Sequence, residues 1–161
     1  MGQYHHIHNL DKHEKIHPHV LGDGLKLLEF GCSGDGAMTA LAILLAGSCK
    51  GGARGGGDVD SSHPMAQYII GRWAGDRIAI IGDYAEGGDV PGMTAEHLHF
   101  AYENDVDISS FVRQVMQAAN IDVRESWSNS RSNDFVIYDA EHDVFIDTQN
   151  REGSDLNEKT R

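Results

Sequence analysis

The chain has 161 residues, 40% of them hydrophobic, and a formal net charge of −12. That length and apolar content suit one core in one domain, and the composition excludes collagen-like, coiled-coil and simple disordered chains. The acidic balance argues against sequence-neutral nucleic-acid binding, which needs clustered Lys and Arg. No apolar run approaches the ~20 residues that cross a bilayer, and no signal-peptide pattern opens the sequence. Two cysteines, Cys32 and Cys49, without a CxxC pair fit reduced thiols in a cytoplasmic setting.

Residues 3–8 and 13–17 read as paired strands. With Asp11-Lys12 as a two-residue loop, Ile7 faces Ile16 and His6 faces His17. Leu25–Phe30 is a short apolar run that periodicity assigns equally to helix or strand. Ala37–Ala46 predicts a central helix, apolar nearly all round, ended by Gly47. Residues 47–63 hold the glycine-rich loop Gly51–Gly57. Tyr68–Trp73 and Arg77–Ile81 are expected to pair as strands around Ala74-Gly75-Asp76. Thr94 is placed to cap a helix over Ala95–Glu103. Asp107 or Ser109 opens another, with Phe111, Val112, Val115, Met116 and Ala119 at helical spacing. Phe135–Tyr138 and Val144–Ile146 predict a last hairpin. The expected fold is α+β, with mainly antiparallel hairpins packed on a buried central helix over residues 1–147, and a polar tail over 148–161.

Glycines ahead of a helix leave amides that can converge on an anion, and the helix dipole adds attraction. Ser33, Gly34, Asp35 and Gly36 stand there, and Arg54 and Asp58 lie in the glycine-rich loop. Together they define an expected site for an anionic small molecule, for instance a nucleotide. Leu27 to Gly31 and the glycines that follow resemble weakly the first motif of S-adenosylmethionine-dependent methyltransferases, with the glycines out of place. A phosphate-binding P-loop fails for want of the lysine, and a nucleophile elbow fails at Asp35. Cys32 beside the helix start reads as a small buried thiol rather than a nucleophile.

Ten histidines are unusual, and six fall in the first nineteen residues. In the hairpin register, His6, His8, His17 and His19 share a face. That face is either a metal site, for zinc or magnesium in a metal-dependent hydrolase, or a solvated polar surface. His97-Leu98-His99 is a third alternating pair. Asp58, Asp60 and His63 have spacing suited to a divalent cation, and Asp83 follows a predicted strand. A virion component or an acidic inhibitor of a basic groove is the third class of function, and a homo-oligomer is compatible with any of the three.

His17-Pro18-His19, Gly22 to Gly31, Gly55-Gly56-Gly57-Asp58 and Trp73 to Ile78 together resemble a set of small uncharacterised bacterial and phage-borne proteins. The resemblance covers roughly residues 1–85. It implies a prokaryotic or phage setting, with action on a host pathway as one role for such a protein, and assigns no catalytic residue.

Overall fold

Alternating residues of the first hairpin set the architecture. The computed structural model describes residues 2–127 and 135–149. Strands β1 (His5–Asn9) and β2 (Glu14–Ile16) pair antiparallel with Ile7 opposite Ile16, the register expected from the sequence. The loop is longer than Asp11-Lys12: it spans residues 10–13, closed by Asn9 Oδ1 accepting from the Asp11 and Lys12 amides at 2.9 and 2.8 Å. Lengthening the loop by one residue on each side keeps the register.

A 3-10 turn (Pro18–Leu21) leads to α1 (Leu27–Gly31), which resolves the ambiguous apolar run as helix. Only Phe30 of α1 is buried. Cys32 follows it on the surface while Cys49 is buried, so the expectation of a buried Cys32 is corrected. Helix α2 (Ala37–Leu45) buries Ala37, Ala40, Ile43 and Leu44 but exposes Leu45, so it is less enclosed than its composition suggests.

The largest departure lies at residues 66–76. Instead of a strand, the chain forms α3 (Ala66–Ile69) and then turns. The Gly71 amide donates to Ile43 O at 2.9 Å and the Trp73 amide to Leu44 O at 2.8 Å. Carbonyls orphaned at the end of α2 therefore take donors that a ladder would need. Freed of that partner, β3 (Ile78–Gly82) pairs antiparallel with β1, Ile80 opposite Ile7.

Helix α4 (Ala95–Asn104) starts where expected, Thr94 accepting from the His97 amide. Strand β4 (Val106–Asp107) pairs parallel to β2. Helix α5 (Ser109–Ala118) buries Val112, Val115 and Met116, most of the stripe read from sequence. Strands β5 (Val136–Asp139) and β6 (Val144–Asp147) form the predicted last hairpin. The expected tail from 150 onward lies outside the described residues.

The result is an α+β domain with a mixed sheet in the order β3-β1-β2-β4 and a separate two-stranded sheet, β5-β6. Ile7 and Ile16 face a core built from α2, α3 and α5. His6 and His8 point the other way, with Ile81, towards α4 and its Leu98 and Ala101. His6 and His8 thus form a buried layer, while His17 and His19 are half-buried towards the open end of the same face. None of the helices is long and apolar enough to cross a membrane among the described residues.

Candidate functional site

The start of α2 is already occupied by a carboxylate of the same chain. Asp23, almost wholly buried, accepts from the Ala37 amide through Oδ2 at 2.8 Å and from Ser33 Oγ through Oδ1 at 2.6 Å, and Arg124 Nη2 also bonds Oδ1. A Cβ on Gly36 would lie 2.2 Å from Asp23 Oδ2, so this glycine admits the internal carboxylate. Of the groups at this helix start, Asp23 thus takes the Ala37 amide and the Ser33 hydroxyl, and it is the chain's own anion at the positive end of the α2 dipole. Asp23→Ala should cost about 1–2 kcal/mol, the loss of a strong helix cap, measured by urea unfolding.

Arg54 and Asp58 are exposed. Asp58 Oδ2 closes its own loop, accepting from the Arg54 and Gly55 amides at 2.7 and 2.9 Å. Beside this loop a cleft of about 410 Å³ is lined by residues that include Gly51, Gly52, Asp60, Ser61, His63 and Gln67. His63 Nδ1 accepts from the Met65 amide at 3.0 Å, which leaves the ring proton on Nε2. Asp60 and His63 therefore meet in one cleft, apart from Asp58. Asp83 instead holds the Tyr4 amide, and His97 is exposed on α4 while His99 Nε2 bonds Ala85 O.

The four N-terminal histidines do form one row. Rings of His6 and His17 are 4.5 Å apart, those of His17 and His19 5.2 Å, and those of His6 and His8 5.9 Å. Tyr102 of α4 stacks on His6 at 4.1 Å, and Trp127 stacks on His19 at 4.3 Å. Burial decreases along the row, from His8, fully enclosed, to Trp127, 47% exposed.

Asp105, just after α4, anchors the buried end. Its Oδ2 lies 2.8 Å from His8 Nδ1, and its Oδ1 lies 3.5 Å from His13 Nδ1. Burial alone would raise Asp105, but the neighbouring His13 and His8 rings hold it below the usual carboxylate range. An ionised carboxylate only accepts, so His8 Nδ1 carries the proton and Nε2 holds a lone pair. That Nε2 has no partner, nor does Nδ1 of the adjacent His6.

Burial, with the nearby Lys15 charge, keeps these imidazoles neutral. His6 lies far below its ordinary value, from burial first and then from Lys15, His17 and His8. His17 is held down to about 4 by burial, Lys15 and His19. Burial lowers His8 despite Asp105, and lowers Lys15 itself, whose Nζ donates to Tyr102 O at 2.7 Å. Asp107 is raised by its burial.

No three of these histidines bring ring nitrogens within 4.8 Å of one another; among the described residues Asp139, Glu141 and His142 alone meet that spacing, on an exposed turn. Asp105, Lys15 and Tyr102 were missed in sequence. Asp105, 97 positions from His8, carries no local signal that would have paired them. No family model, curated protein or solved structure matches this chain.

Proposed function

We propose that the chain is a metal-binding protein, taking a divalent ion of the zinc class on His6, His8 and His17, with His19 at the outer end of the row. His8 carries the reading: an enclosed ring whose Nδ1 is committed to Asp105 and whose Nε2 lone pair lacks a partner, beside a His6 Nδ1 in the same condition. A buried polar atom left unpaired costs about 1–3 kcal/mol, and an ion is one occupant that removes that cost. Carboxylate support behind a histidine is the usual outer arrangement of such sites, and the neutral imidazole is the form that ligates. Nitrogen donors favour zinc over magnesium, which prefers oxygen. His17 Nδ1 accepts from the His19 amide at 3.3 Å, so capture would release that bond and draw the His6 and His17 rings towards His8, since a tetrahedral ion wants donors roughly 3.3 Å apart at bond lengths of about 2.0–2.1 Å. The reading is of binding; hydrolysis would further require an open position at the His17–His19 end.

After chelation, calorimetric titration of the untagged chain with zinc should show about one ion taken up per chain. His8→Ala removes a ligand outright and should weaken uptake by more than the ~10–100-fold that loss of an outer supporting group costs. His97→Ala, exposed on α4, should leave it unchanged. Absence of uptake, or uptake indifferent to His8→Ala, would refute the reading.

A second reading, a protein that binds a small anionic molecule such as a nucleotide, is supported by the cleft beside the glycine-rich loop, where His63 offers an Nε2 proton. Asp60 in the same lining works against an anion. Nucleotides at 100 times their dissociation constant should add ~2.7 kcal/mol in thermal-shift measurements, and an unmoved midpoint across a millimolar panel excludes it.

A further inference from the structure

We infer that β3 is the self-association surface of this protein, pairing antiparallel with the β3 of a second copy about a two-fold axis at Ile80. The sheet order leaves β3 at one edge, whereas β4, at the other, lies against β6 of the last hairpin. Bonds from the Leu10 amide to Arg77 O and from the Asp83 amide to Tyr4 O, both 2.9 Å, fix which groups of β3 face β1. Antiparallel ladders alternate, so residues 77, 79, 81 and 83 turn inward and Ile78, Ile80 and Gly82 turn their amides and carbonyls outward. Among the described residues nothing pairs with the outward groups of Ile78 and Ile80.

Natural edges are usually protected by proline, an inward-pointing charge, a bulge or a cover. The strand Ile78-Ala79-Ile80-Ile81-Gly82 has neither proline nor charge, and the Ile80 side chain is 42% exposed at its centre. Charges flank it instead, and their spacing selects the occupant. In an antiparallel pair centred on Ile80, position 77 opposes position 83. Arg77, 74% exposed, therefore meets the partner's Asp83, and the symmetry makes the same contact twice. Arg77 uses Nε and Nη2 on Asp11, while Nη1 has no partner among the described residues. A self-complementary strand is what a two-fold interface requires, because one patch must serve both sides. Joining the edges makes one continuous eight-stranded sheet and satisfies the outward amides.

Light scattering at ~0.15 M salt, where the repulsion between two acidic chains is screened, tests this over a concentration series. The expected species at high concentration has twice the 17.6 kDa of one chain. Ile80→Lys, at an exposed position that leaves the core intact, should weaken association at least tenfold. Arg77→Asp and Asp83→Arg should each be monomeric alone and form a heterodimer when mixed, since mixing restores both charge pairs. In a Cys32→Ser background, Ile80→Cys should form an interchain disulfide on oxidation, because directly opposed residues stand ~5.5 Å apart at Cα. A monomer at every concentration overturns the inference, as does a dimer indifferent to Ile80→Lys or one that Ile80→Cys fails to cross-link. These readouts do not depend on metal, so they fail or succeed separately from the histidine site.

Discussion

Arg72→Ala is expected to destabilise the fold by about 3–5 kcal/mol, the range for removing one partner of a buried ion pair. Arg72 and Glu14 are both nearly inaccessible. The guanidinium donates from Nε to Oε1 at 3.0 Å and from Nη2 to Oε2 at 2.8 Å. Trp73 Nε1 adds a third donor to Oε1 at 2.9 Å. Truncation strands the Glu14 carboxylate in the core beneath β2 with only the indole to answer it. The same arginine reaches the last hairpin, bonding Asp143 Oδ1 at 2.8 Å and Asp143 O at 3.0 Å and lying over the Phe145 ring at 4.7 Å. Urea unfolding should show the loss, and amide exchange over β5 and β6 should accelerate more than over β1. The double variant Arg72→Met, Glu14→Leu should recover part of the stability, since well-packed apolar replacements of buried pairs are often neutral, but the buried Trp73 Nε1 then lacks its acceptor and withholds about 1–3 kcal/mol. If Arg72→Ala unfolds within 1 kcal/mol of the parent, the pair has no structural weight.

Acidification of the metal-free chain gives the second large effect. A histidine whose folded pKa lies below its unfolded value of 6.5 protonates first in the unfolded chain, so stability is full above pH 6.5 and falls as pH drops. For His17 the loss runs from 6.5 down to about 4. His6 and His8, displaced in the same direction by burial, add to it over that window. Each contributes about 1.4 kcal/mol per pH unit while only its unfolded form is charged. Asp105, held low by the His8 and His13 rings, keeps its contribution until pH falls below 3.8, whereas Asp107, raised by burial, opposes the decline as it takes up a proton. Urea midpoints with chelator present should decline steeply between pH 7 and 5, and His6→Gln should flatten the curve. A level midpoint over that interval would show that the imidazoles protonate without leaving their places. Bound zinc should raise the midpoints over this interval without moving the onset of the decline, which the unfolded histidines set, and should lose its effect only where protons displace it from the folded lone pairs.

Elements settled by neighbouring residues were legible from sequence. Ile7 and Ile16 mark the register of the first hairpin, Thr94 supplies the cap of α4, and Val112, Val115 and Met116 form the stripe of α5. These depend on side-chain spacing and on a hydroxyl three residues from its amide, and neither needs knowledge of the rest of the chain. The His6–His17 row was legible for the same reason.

The tertiary structure decided everything that turned on a distant partner. Residues 66–76 lost their strand because the end of α2 claims two of their amides. Asp23 fills the helix start from 14 residues away. His6 and His8 are interior only because α4, some 90 residues on, lies across them and brings Asp105 to His8. Burial then sets the charge of each imidazole, since desolvation disfavours the protonated ring wherever water is excluded. Residue order alone set which side chains share a face; the packing of α4 and Asp23 determined which polar groups are filled from within and which are left open.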